Sequence, residues 1–132
     1  MDLNTEVKLA GAGRQDYVRD ADGMPLKDAG ALAAGTYKYA LSVGGAGNVD
    51  VTLTMSAHTG TVPTAKLYAA FLDASQKGTA VNMPGTGSLA DNVPAPGSLP
   101  IAPGTLTRTA IVEITVPASS TATFSRAEWA AQ

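Results

Sequence analysis

Between Thr36 and Ala57 the chain alternates polar and apolar residues on a two-residue period. Val49, Val51, Leu53, Met55 and Ala57 share one parity, and Asp50, Thr52, Thr54 and Ser56 share the other. Upstream, Tyr37, Tyr39, Leu41 and Val43 likewise oppose Thr36, Lys38, Ala40 and Ser42. Such a period sets one face on a core and the other in water, the pattern of a half-buried antiparallel strand. The glycines of Gly44-Gly45-Ala46-Gly47 supply the backbone freedom of a short reversal, so the stretch is expected to form a β-hairpin.

Upstream of it, residues 1–35 show little regular period and read as an extended N-terminal arm. Thr5, Val7 and Leu9 fit one short strand ahead of Gly11-Ala12-Gly13. Tyr17-Val18-Arg19 fits a second, closed by the turn signal Asp20-Ala21-Asp22-Gly23. An arm of this kind either lies across a neighbouring surface or pads its own sheet. Downstream, His58 to Pro63 reads as a turn. Leu67, Ala70, Phe71 and Ala74 match helical spacing, yet the β-rich surroundings favour a strand here, buried on both faces. A turn over 73–78 and a strand from Thr79 to Asn82 then follow.

Residues 83–106 are rich in Pro and Gly and read as a long ordered loop on a polyproline-like path. Val93, Leu99 and Ile101 are its apolar anchors, and the loop serves either as a partner contact or as a crossover between sheets. From Thr107 to Val116, Ala110, Val112, Ile114 and Val116 keep one phase while Ile111 interrupts the polar face, which points to a central strand. After a turn at Pro117-Ala118-Ser119-Ser120, the segment from Thr121 to Trp129 carries Phe124 and Trp129 on opposite parities. That calls for a bulge or a switch to helix, and Ser125-Arg126-Ala127-Glu128 has the spacing of a helix capping box.

Seven or eight short strands with no strong helix predict an all-β protein. The expected fold is an antiparallel β-sandwich of immunoglobulin-like or jelly-roll type over residues 36–132, with the arm before it and the loop 83–106 inside it. The length of 132 residues suits one domain, and 45% apolar residues supply a core.

Charge and chemistry narrow the function mostly by exclusion. The net charge is −2 and the nine Lys and Arg residues are scattered, without the basic stripe that phosphates require. No apolar run reaches the roughly 18 residues of a membrane span. The N-terminus has no apolar signal region, so synthesis in a cytoplasm is expected, and the lack of cysteine excludes a disulfide framework or a thiolate metal site. The single histidine, His58, has no nucleophile motif beside it and cannot alone make a zinc site. Asp20 and Asp22, with Asp16 and Asp28 nearby, place acids at calcium-loop spacing but lack the later glycine and glutamate, so an Asp-Gly turn explains them. Asp50, Asp73 and Glu113 are unpaired along the chain, unlike a glycosidase dyad. Tyr37 and Tyr39 share a face and either fill the core or form a sugar-stacking platform. No enzyme activity, cofactor or metal is expected.

The segment Gly35-Thr-Tyr-Lys-Tyr-Ala-Leu-Ser-Val43, the arm before it and the strand from Thr107 to Val116 together resemble the small head decoration (cement) proteins of tailed bacteriophages. The resemblance implies a structural virion protein on the capsid surface, made in the host cytoplasm. Its implied partners are the major capsid protein and copies of itself, as a homotrimer, and it implies contact with neither nucleic acid nor membrane. Under it, Arg14, Tyr17, Arg19, Val93, Leu99 and Ile101 are the candidate partner contacts, Tyr and Arg being favoured at interface hot spots. A phage tail or fibre module shares every compositional feature, and a carbohydrate-binding β-sandwich module is the other alternative.

Overall fold

The computed structural model describes residues 14–44, 47–70, 80–85, 88–101 and 109–132. Their alternating segments become nine strands: β1 (Arg14–Tyr17), β2 (Ala31–Leu32), β3 (Gly35–Ser42), β4 (Asn48–Thr59), β5 (Thr64–Ala70), β6 (Val81–Met83), β7 (Pro94–Pro100), β8 (Thr109–Val116) and β9 (Thr121–Ala131). The first sheet has the order β1-β9-β4-β7, with β2 also paired to β9, and the second has the order β3-β8-β5-β6. All pairings are antiparallel. The fold is an all-β sandwich, and no α-helix occurs among the described residues.

The apolar parities meet between the sheets. Val49, Val51, Leu53 and Met55 of β4 and Phe124 of β9 face Leu41, Leu67, Val112 and Ile114 of the other sheet, and all are essentially inaccessible to solvent. Burying a side chain of this size stabilises by about 1.5–3 kcal/mol, so this layer sets the strand faces. Tyr39 lies in it too, 5% exposed, and Tyr37 packs against it with its hydroxyl donating to the Ala33 carbonyl at 2.7 Å. The tyrosine pair fills the core and offers no stacking platform. Burial pushes the Tyr39 phenol up to about 12, with the neighbouring Tyr37 and Asp20 adding to it.

The hairpin expected over Thr36–Ala57 is corrected by the pairing. Both strands form where the alternation places them, but β3 pairs with β8, and β4 pairs with β7 and β9 in the opposite sheet. The connection after Val43 is a crossover between sheets. A two-residue period specifies which face is buried and not which strand lies alongside, and both apolar faces are satisfied across the core as well as within one sheet.

The long loop expected over 83–106 is corrected as well, because β7 runs through its middle. Residues 94–100 alternate in burial, with Ala95, Gly97 and Leu99 inward and Pro94, Pro96, Ser98 and Pro100 exposed. The three prolines therefore share one parity. Backbone N–H groups alternate sides along a strand, so the missing donors all fall on one side, which is the open edge of the sheet, while residues of the other parity pair with β4. Gly97 is required by packing: a Cβ there would collide with Cγ and Sδ of Met83 in the facing sheet.

The parity break in the last segment is a bulge, not a helix. Arg126 pairs with Thr54 and Phe124 with Met55, leaving Ser125 as an extra residue on β9. The reciprocal shift between Met55 and Ala57 leaves Ser56 extra on β4. Each bulge serine donates across the ladder, Ser125 Oγ to the Thr54 carbonyl (3.4 Å) and Ser56 Oγ to the Thr123 carbonyl (3.3 Å). The extra residue lets Phe124 and Ala127 both face the core.

Of the segment read as an arm, residues 14–32 lie along their own sheet. β1 and β2 pair with the two ends of β9, and Val18, Leu26 and Leu32 are buried. The strand expected at Thr5–Leu9, the following Gly11 and Gly13, the turn over 73–78, and Asp73 lie outside the described residues. Of the ambiguous stretch after Pro63, the part up to Ala70 is strand β5, while Phe71 and Ala74 lie outside the described residues, and the next strand is β6.

Candidate functional site

The outer face of the first sheet carries the polar parity of three adjacent strands in register. Gln15 of β1, Ala130 of β9 and Asp50 of β4 form one cross-strand row, and Tyr17, Glu128 and Thr52 form the next. Side chains directly opposite in a sheet stand about 5 Å apart and diagonal neighbours about 7–8 Å. Ala130, the smallest in this grid, leaves a dip between longer neighbours. The result is an open recess of about 550 Å³ walled by Gln15, Tyr17, Asp50, Thr52, Arg126 and Glu128. Asp16 and Trp129 border it.

The polar groups of the recess are largely compensated locally. Arg126 Nη2 reaches Glu128 Oε2 at 3.3 Å. Asp50 Oδ1 accepts from the Asn48 amide at 3.1 Å, and the Asn48 side-chain oxygen accepts from Ser98 Oγ at 3.3 Å. Asp16 is forked onto Arg19, whose hydrogen bonds hold its carboxyl below the ordinary carboxylate range against slight desolvation, with the Tyr17 N–H helping. These exposed pairs orient side chains more than they stabilise the fold, each worth under about 1 kcal/mol.

At one end of the recess Tyr17 stands 39% exposed with two cations over its ring, Lys27 Nζ at 5.0 Å and Arg19 Cζ at 5.7 Å from the centroid. The loop behind it fixes both. Asp20 Oδ1 accepts the N–H groups of Asp22 and Met24, each at 2.9 Å, and Gly23 takes the left-handed φ of +86° that the turn needs. The Val18 N–H donates to the Ala127 carbonyl and the Leu26 N–H to the Val18 carbonyl, which fasten the loop to β9. Arg19 also donates to the Gly23 carbonyl at 3.0 Å. The acids at calcium-loop spacing are thus engaged in a turn and in ion pairs. Among the described residues no set of three or more His, Asp or Glu converges on a metal-sized point.

The structure gathers Tyr17 and Arg19 into this one surface, and Arg14 opens the same strand opposite Ala131. Val93 lies apart at the entry to β7 and is 54% exposed. Leu99 and Ile101, each 7% exposed, belong to the core and turn their side chains away from any partner. Gln15, Asp50, Thr52, Arg126 and Glu128 are not legible as one site in the sequence, because each reads as an ordinary solvent-side residue of its own segment. Only the pairing of β1, β9 and β4 brings them together, although the polar parity Asp50-Thr52-Thr54 was already visible.

The second sheet presents a different polar cluster. Glu113 at the middle of β8 is 8% exposed, and its register partners on both flanking strands are lysines. Lys66 Nζ lies 3.1 Å from Oε2, Lys38 Nζ 3.7 Å from Oε1, and the Tyr68 hydroxyl donates to Oε1 at 3.2 Å. Asp50 and Glu113 stand on the outer faces of opposite sheets, so they form no acid pair across a cleft. His58, near the end of β4, donates from Nδ1 to the Asp91 carboxylate at 2.7 Å, tying the loop before β7 to the strand.

No protein-family model, curated protein or solved structure matches the chain. Among the described residues no helix is long and apolar enough to cross a membrane.

Proposed function

We propose that the protein is a structural virion component that binds the outside of a bacteriophage capsid and braces the shell. Its partners in this reading are the major capsid protein and further copies of itself, as a trimer. The observation that carries it is the Tyr17 surface. The Tyr17 ring at the end of β1 carries the cations of Lys27 and Arg19 over it, and the loop that bears both cations is locked to the sandwich by backbone hydrogen bonds, the residue types and pre-organisation that protein interfaces favour. A bound partner of this kind stabilises a shell in proportion to its occupancy.

The test is co-sedimentation of the full-length protein with empty capsids of the phage that encodes it. Removing residues 2–20 would take β1 and the fully buried Val18 with it, so point variants are the cleaner probe. Tyr17→Ala should weaken capsid binding by tenfold or more, the effect of losing one hot-spot side chain of about 1.4 kcal/mol or more. Absence of wild-type binding, or equal binding by Tyr17→Ala, overturns the proposal. Binding to isolated tails or fibres instead of heads would move the protein to those parts of the particle.

A further inference from the structure

We infer that the recess on the first sheet is a binding site for a neutral, hydroxyl-rich ligand, a short stretch of an oligosaccharide chain. The inference rests on the recess and not on capsid binding.

The lining chemistry selects this class. The recess presents carboxylate acceptors in Asp50 and Glu128, donors in the Arg126 guanidinium and the Gln15 amide, and the Thr52 hydroxyl, which both donates and accepts. The lining carboxylates Asp16, Asp50 and Glu128 disfavour an anionic ligand, and Arg19 and Arg126 compensate Asp16 and Glu128, which leaves little net charge to hold a cationic one. A vicinal diol matches the set, since each hydroxyl donates to a carboxylate while accepting from an amide or guanidinium. Internal compensation of Glu128 by Arg126 and the Asn48 contact to Asp50 hold these groups in place before a ligand arrives. Such pre-organisation lowers the cost of binding.

Shape agrees with chemistry. The dip over Ala130 has longer residues on every side within the sheet, Gln15 and Asp50 along its row and Glu128 two residues away on the same strand. The 550 Å³ volume falls within the roughly 300–1,000 Å³ of small-molecule sites and holds one or two sugar rings. The recess is open and crosses three strands, so a chain can enter and leave at either end. Tyr17, partly exposed at its border, adds aromatic surface against which the apolar face of a pyranose ring packs.

The test is a neutral-glycan array probed with the full-length protein, followed by titration calorimetry with the best-bound oligosaccharide. Asp50→Ala and Ala130→Trp serve as variants. The first removes an acceptor away from the Tyr17 ring, and the second fills the dip without changing charge. The expected result is saturable binding that falls tenfold or more in both variants and is unchanged in Thr36→Ala on the far sheet, with all proteins melting as cooperatively as wild type. Capsid binding by Asp50→Ala should persist, which separates the two sites. Absence of neutral-glycan binding, tighter binding of sulfated glycans or of hexalysine, or binding untouched by both variants would overturn the inference.

Discussion

Lys66 Nζ lies 3.1 Å from Glu113 Oε2, and the Glu113 carboxylate is the one acid among the described residues that is almost wholly buried. Burial by itself raises its pKa, but hydrogen bonding and charge from Lys66, the Tyr68 hydroxyl and Lys38 outweigh that and hold the carboxyl below the ordinary glutamate range. A folded-state value below the unfolded one contributes stability above the unfolded value. That contribution is lost as pH falls through the folded value. Glu113→Gln should therefore be less stable than wild type at pH 7, by about 1–2 kcal/mol for the charge-assisted bonds it weakens. The gap should narrow as pH falls through the lowered value of the folded carboxyl, because the wild-type side chain then loses its charge too. Urea unfolding of both proteins at pH 7, 5 and 3 checks this, and a gap independent of pH would refute the assignment.

Gly97 of β7 packs so closely on Met83 of β6 that only the absence of a Cβ permits the contact. Gly97→Ala should cost about 1–3 kcal/mol through overpacking, because the obstructing atoms lie midway along the Met83 side chain. Combining it with Met83→Ala should recover part of that loss. Thermal denaturation of the two single variants and the double variant gives the coupling, and strictly additive effects would show that the contact is not what requires glycine.

Leu99 and Val93 share an apolar character and a Pro/Gly-rich neighbourhood, yet they differ in surroundings, at 7% and 54% exposure. Leu99→Ala should lower stability by about 2–5 kcal/mol as a core truncation. Val93→Ala should stay within about 0.5 kcal/mol of wild type. Chemical denaturation measures both. Equal and small effects would place Leu99 outside the core.

What the chain discloses before folding depends on the range of the information. Alternation is local, so the strand faces of Val49 to Met55 and Ala110 to Val116 are legible residue by residue, as is the parity clash between Phe124 and Trp129 that the Ser125 bulge resolves. Pairing is not local. Nothing near Ser42 says that β3 lies against β8, 67 or more residues downstream, and a glycine-rich link serves a crossover as readily as a hairpin. The prolines of β7 suit a polyproline-like loop, yet their common parity also permits an edge strand. The recess was the least legible feature. Its members come from β1, β4 and β9, and each alone is a solvent-side polar residue.

That common parity gives Pro94, Pro96 and Pro100 a second consequence. β7 is the outer strand of the first sheet beside β4, and seven consecutive residues of an edge would otherwise present free N–H and C=O groups to another chain. With proline at three of the four outward positions, the edge lacks most of its donors and cannot template a further strand. The triple variant Pro94→Thr, Pro96→Thr, Pro100→Thr restores those donors on exposed positions, with β4 pairing and the inward Ala95, Gly97 and Leu99 unaltered. It should fold and then associate through β7, appearing as dimers or larger species whose population grows with concentration. Light scattering coupled to size exclusion, run beside wild type, measures this. A variant whose mass distribution matches wild type at every concentration would show that the edge is protected by something other than its prolines.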